Sequence, residues 1–161
     1  MHRNRTHASL QGESTPELGE VLNFMRLLWA VDHGLHTASK QMVRRSGISG
    51  PQRLVIRILG QAPELSAGTL ARVLHIHPST LTGILHRLEE RGFILRSADP
   101  ADARKARLTL TDLGRRVDAE RTGTVEEAIA ALLESQPPAR IAAAVQVLMA
   151  IAEGLGVEEP L

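Results

Sequence analysis

Between His77 and Gly92 the apolar residues Leu81, Ile84, Leu85 and Leu88 recur at i, i+3, i+4 and i+7, with Ser79, Thr82, Gly83, His86 and Glu90 opposite them. That spacing predicts a helix over 78–91 with one buried stripe, opened by Pro78 at its first position and closed by Gly92 just past its end. Upstream, Leu18, Val21, Met25, Leu28, Asp32, Leu35, Ser39 and Met42 keep a 3,4 spacing. They predict a helix of about 27 residues, about 40 Å long, capped by Ser14 or Thr15 with Pro16 and Glu17 in its first turn. Ser49-Gly50-Pro51-Gln52 has the spacing of a capping box and opens a helix with Leu54, Val55, Ile58 and Leu59 inside and Gly60 at its end. Ser66 caps a third helix containing Leu70, Val73 and Leu74, which connects to the 78–91 helix across His75-Ile76-His77, with Ile76 as the apolar plug of the turn.

Beyond Gly92 the period changes. Phe93–Ser97 and Ala106–Leu110 read as short strands, the second with Leu108 and Leu110 inward and Arg107 and Thr109 outward, and the loop ADPADARK joins them. Thr111 is placed to cap a helix running to about Ser135, with Leu113, Val117, Val125, Ile129, Leu132 and Leu133 as its apolar set, until Pro137-Pro138 breaks it. An Ala-rich helix follows over 139–155, with Ile141, Val145, Leu148, Met149, Ala152 and Leu155 on one side and Gly154 and Gly156 as stops.

The fold class these elements predict is mostly α with a small β-wing. A winged helix-turn-helix over 49–110 follows a flexible arm (1–14) and a long helix (15–48), and precedes C-terminal helices (111–157). The first helix is too long to be covered within a 161-residue monomer, and Leu148, Met149 and Leu155 are more apolar surface than the winged helix needs. The excess is assigned to a dimerisation domain built from the long helices at both ends of the chain, making the protein a homodimer.

Composition narrows the chemistry. With no cysteine, the sequence allows no disulfide framework, thiol redox centre or cysteine-ligated zinc. No apolar run approaches a membrane span and the N-terminus has no apolar signal region, so a cytoplasmic protein without a membrane partner is expected. Net charge is only +1, but residues 40–63 carry five basic and no acidic side chains, whereas 117–161 carry two basic and eight acidic. A basic middle set against an acidic remainder suits a polyanion binder. Phe24, Trp29 and Phe93 are the only aromatic residues, too few for single-strand binding by stacking. The polar face of the 78–91 helix carries small and hydroxylated residues with His86 and Arg87, a composition that sits flush in a major groove and reaches base edges and phosphates. There is no Gly-rich phosphate loop, no G-x-S-x-G and no complete zinc motif, so neither an enzyme nor a cofactor is expected.

The order of these elements, the run LARVLHIHPSTLTGILHRLEERGFILR, the wing DPADAR and the following LTLTDLG resemble the MarR family of bacterial transcription regulators, over roughly residues 18–155. The resemblance implies a ligand-responsive repressor, a homodimer placing two copies of the 78–91 helix in successive major grooves of double-stranded DNA. Its operator would be pseudo-palindromic, with half-sites about 34–36 Å apart. It implies that Ser79, Thr80, Thr82, Gly83 and His86 face bases, Arg87 a phosphate, Arg104 the minor groove and Lys105 the backbone, with Asp102 holding Arg104. Gly83 and Ala103 depart from the family, many of whose members carry long basic side chains there. A small aromatic acid effector is also implied, for which Trp29, His33, His36 and Arg57 are the candidate lining.

Two other readings compete. His33-x-x-His36 with Asp32, or His75 with His77, has a spacing suited to metal ligation and would make a metal-responsive regulator, although neither set has a third ligand the sequence can place. A winged helix whose 78–91 face binds protein instead of DNA would be an interaction module, with binding that ignores DNA and depends weakly on salt.

Overall fold

Side-chain caps fix where four of the helices begin in the computed structural model, which describes residues 17–99 and 106–156. The element order is α1 (Glu20–Ser46), α2 (Gly50–Gln61), β1 (Leu65–Ser66), α3 (Ala67–Leu74), α4 (Pro78–Glu90), β2 (Ile94–Ala98), β3 (Ala106–Leu110), α5 (Asp112–Ala119), α6 (Val125–Glu134) and α7 (Pro138–Gly154). Ser49 opens α2 with both halves of the capping box formed: its hydroxyl accepts from the Gln52 amide, and the Gln52 side chain accepts from the Ser49 amide. Ser66 and Thr111 cap α3 and α5 without the reciprocal bond, their hydroxyls accepting from the amides of Thr69 and Gly114. The first helix has the expected 27 residues but starts at Glu20, so Glu17 precedes it; Ser14, Thr15 and Pro16 lie outside the described residues.

By compactness the chain divides into two units, residues 1–33 and 34–161. The described part of the first is residues 17–19 and the N-terminal portion of α1, on which Val21, Leu22, Leu27, Trp29 and Val31 are all exposed.

The second unit holds the core. Ile48, Val55, Ile56, Leu59, Leu70, Ala71, Leu81, Leu85, Leu88, Phe93, Ile94, Leu108 and Leu110 form one buried cluster, against which Ile76 packs as the turn's plug. The expected apolar stripe of α4 is observed, with Ile84 half-buried beside three buried leucines. In α2 the inward set is rotated from expectation, since Ile56 is buried and Leu54 is exposed; in α3, Ala71 is buried and Val73 exposed. A three-stranded antiparallel sheet of order β1-β3-β2 backs this core. Its register sets Ile94 against Leu110 and Arg96 against Leu108, so Leu108 and Leu110 face inward as the alternation required. The two-residue strand β1, pairing Leu65 with Leu108, was not foreseen, being too short to show a period.

The single helix expected from Thr111 to Ser135 is two helices, broken at residues 120–124. Gly123 takes a left-handed φ of +69°, Thr124 donates its hydroxyl proton to the Arg121 carbonyl at 2.9 Å, and Arg53 donates to the Val117 and Glu120 carbonyls at the end of α5. The chain therefore gains satisfied carbonyls by stopping there. No residue of α6 or α7 is buried, and Ile129, Leu132, Leu133, Val145, Val147, Leu148 and Met149 stand exposed on them.

Candidate nucleic-acid interface

The turn before α4 is built to project that helix. His75 ends α3 in the left-handed region (φ 49°), and the Ile76 amide donates back to the Ala71 carbonyl at 3.2 Å. His77 is the N-cap of α4: its Nδ1 accepts from the Ser79 amide at 3.2 Å and lies 2.7 Å from Ser79 Oγ. Pro78 takes the first helical position, where its missing N–H costs nothing. Burial of Leu81, Leu85 and Leu88 then fixes the helix's rotation, so that Ser79, Thr80, Thr82, Gly83, His86 and Arg87 are all exposed on the same element. Thr82 Oγ1 donates to the Pro78 carbonyl at 2.9 Å, and His86 Nδ1 lies 3.2 Å from Glu90 Oε2, both side chains about two-thirds exposed. A Cβ built on Gly83 meets nothing within 4 Å, so no packing within the protein requires glycine there.

The antiparallel β2–β3 pair extends from the end of this helix. Its root is pinned by ion pairs: Arg107 lies 2.5 Å from Glu64 and 3.1 Å from Asp99, and Arg96 lies 2.6 Å from Glu89 at the end of α4. The hydrogen bond to Asp99 raises the Arg107 pKa above an already high value, so the guanidinium stays charged. The loop residues Asp102, Ala103, Arg104 and Lys105 lie outside the described residues.

The basic middle segment is less of a DNA-facing surface than its charge suggested. Arg53 is buried against Glu126 at 2.6 Å, Arg57 lies 2.5 Å from Asp118, and Arg45 donates to the Thr122 carbonyl at 3.1 Å. These pairings run between the basic and acidic parts of the sequence and neutralise Arg53 and Arg57 inside the fold, a use of charge that a linear count cannot reveal. Arg53, which also draws the ends of α2, α5 and α6 together, has no sequence signal beyond being a cation in a helix with an apolar face.

The remaining candidates stand on other elements. Trp29, His33 and His36 are exposed on α1. Arg57 lines an open cavity of about 510 Å³ together with Arg121, Glu126, Glu127 and Glu134, a set with more carboxylates than guanidinium groups. His75 and His77 serve as caps. Among the described residues no three His, Cys, Asp or Glu side chains are grouped so as to hold a metal ion, and no helix is long and apolar enough to cross a membrane.

Residues 48–106 match the sequence profile of the MarR family. The chain is 30% identical over 107 residues to an HTH-type transcriptional repressor of Mycobacterium bovis, covering 66% of this chain and 77% of the relative. It is 34% identical over 90 residues to the homoprotocatechuate degradative operon repressor of Escherichia coli, covering 55% and 60%. With the HTH-type transcriptional regulator TtmR of Methylorubrum extorquens it shares 32% over 88 residues, 55% of this chain but only 45% of the relative. The fold is similar to that of a MarR family transcriptional regulator from Streptomyces coelicolor solved in complex with DNA, with a TM-score of 0.71 at 24% identity over 90% of this chain and 93% of that one. The projected α4, the strand pair beside it and the matched length of the mycobacterial repressor agree, and the chain belongs to the MarR family of winged helix-turn-helix transcription regulators.

Proposed function

We propose that this regulator is a ligand-responsive repressor which binds a pseudo-palindromic operator as a homodimer, with α4 of each subunit in a major groove. The observation that carries the reading is the exposed face of α4. Ser79, Thr80, Thr82, Gly83, His86 and Arg87 present short polar groups, one cation and a bare stretch of backbone, above a stripe buried too firmly for the helix to turn. In this reading Arg87 meets a phosphate, Gly83 marks the closest approach of backbone to DNA, and Arg104 and Lys105 extend the contact from the wing, with Asp102 holding Arg104. The homodimer rests on α6 and α7, which bury no residue within the subunit and expose seven large apolar side chains. Apolar surface on that scale marks an interface. Repression is the mode this reading favours, because a dimer seated on a promoter blocks polymerase without further contact.

Ligand response is supported by the company the chain keeps: one relative is named for a degradative operon, and Trp29, His33, His36 and Arg57 retain the polar and aromatic character a small aromatic acid needs. Such a carboxylate has to compete with Asp118 for Arg57, so binding is expected to be weak unless that pair opens. The deciding experiment is selection of fragmented genomic DNA by the full chain, followed by anisotropy titrations of the recovered duplex over a range of salt. Salt-dependent binding of one dimer per site, weakened for every sequence by Arg104→Ala, is the expected result. Binding that ignores duplex DNA would favour the protein-interaction reading.

A further inference from the structure

Two hydroxyl groups on the exposed face of α4 have their protons already committed. The Ser79 amide donates to His77 Nδ1 at 3.2 Å, and an amide N–H is always a donor, so Nδ1 carries a lone pair and the neutral imidazole holds its proton on Nε2. Ser79 Oγ lies 2.7 Å from that same nitrogen. Two lone pairs facing each other at this distance repel, so in this tautomer the Ser79 O–H points at His77 and shares the single Nδ1 lone pair with the amide, and only the oxygen's lone pairs face outward. Almost one turn further on, Thr82 Oγ1 donates its proton to the Pro78 carbonyl at 2.9 Å and likewise turns acceptor sites outward. The two locks differ in strength. The Pro78 carbonyl can keep a helical partner if Thr82 turns away, whereas turning Ser79 sets its oxygen against a nitrogen lone pair.

A serine on a reading helix is ordinarily neutral in its preference, since its hydroxyl donates to a keto base as readily as it accepts from an amino base. We propose that Ser79 reads as an acceptor only: it selects an amino base, adenine through N6 or cytosine through N4, over guanine or thymine on the strand it faces, and His77 is the positioning residue that sets this polarity. The inference rests on α4 lying in the major groove and assigns a direction to one contact there. His77 needs to touch no base, because it acts through the Ser79 proton.

The test uses the full chain and an operator selected from random duplexes, with all four bases placed in turn at each half-site position and competition binding measured at one salt concentration. Wild-type protein is expected to show a position where adenine or cytosine is preferred by about two- to tenfold, the worth of one neutral hydrogen bond, and Ser79→Ala to abolish that preference. His77→Ala removes the acceptor, frees the Ser79 proton and should admit keto bases at that position. His77→Asn, whose Oδ1 caps the helix and accepts from Ser79, should restore the preference. If His77→Ala weakens binding to all four bases equally and leaves the preference intact, His77 is a cap and nothing more, and the proposal is overturned. A keto preference at the position that responds to Ser79 overturns it as well. Failure of the wild-type chain to retain any duplex would instead remove the groove reading itself, and the proposal with it.

Discussion

Replacing Gly83 by alanine separates what the helix wants from what DNA wants. Gly83 sits inside α4 in ordinary helical backbone, is exposed, and has open space where a Cβ would stand. Within the protein, Gly83→Ala therefore removes backbone entropy from the unfolded chain at no steric cost, a gain of about 1 kcal/mol, or about 2–4 °C in Tm for a chain of this length. On DNA the sign reverses. If the helix lies flush at Gly83, a methyl group there lifts it and stretches the short hydrogen bonds from its neighbours. Losing one or two neutral bonds costs about 1–2 kcal/mol, or about five- to thirtyfold in Kd. Thermal melts at fixed protein concentration, paired with anisotropy titrations at fixed salt, read both quantities on the same samples. A variant that melts higher and binds operator as well as wild type, or better, would refute the close approach and leave Gly83 without a role at the interface.

Three further perturbations probe the rest of the fold. Arg53→Ala leaves two carbonyls at the end of α5 without their partner and Glu126 with only the longer Arg57 pair at 3.7 Å; because Glu126 is about a third exposed and can rehydrate, the expected loss is about 2–4 kcal/mol in urea unfolding, and a loss under 1 kcal/mol would show that Arg53 does not hold the α5–α6 break. Leu148→Asp changes a side chain half exposed in the single subunit, so it should cost little within the subunit yet move sedimentation equilibrium toward monomer and weaken operator binding with it; an unchanged dimer would take α7 out of the interface. Leu85→Ala, at a fully buried position under the reading face, should cost about 2–5 kcal/mol and weaken DNA binding only as far as folding fails, so a binding defect in fully folded protein would contradict a purely supporting role.

How far the sequence could be read depends on whether local or distant chemistry decides each feature. The helix starts at Ser49, Ser66, Pro78 and Thr111 were legible because a cap acts on amides two or three residues away. The inward leucines of α4 and β3 were legible because each element buries one face and its period repeats it. The rotation of α2 was not: Leu54 and Ile56 are both apolar, and the choice between them is made by β3, α4 and α5 packing on α2 from parts of the chain far away. The face of α4 could be drawn from periodicity, yet the role of His77 could not, because a histidine before a proline gives no hint of which ring nitrogen will meet the Ser79 amide.

The break at residues 120–124 shows where the limit lies. Val117 and Val125 stay in helical phase across it, although Arg121 stands at the position between them, and Gly123 alone is a weak stop, tolerated in a helix at about 1 kcal/mol. What stops the helix is Arg53, some 70 positions away in sequence, whose buried guanidinium is satisfied by the carbonyls that the end of α5 exposes and by Glu126 in the first turn of α6. A cation that far inside has to find acceptors or cost several kcal/mol. One cation of the apparent excess in residues 40–63 and the bend in the C-terminal segment are thus coupled, since the carbonyls the bend exposes are the ones Arg53 needs.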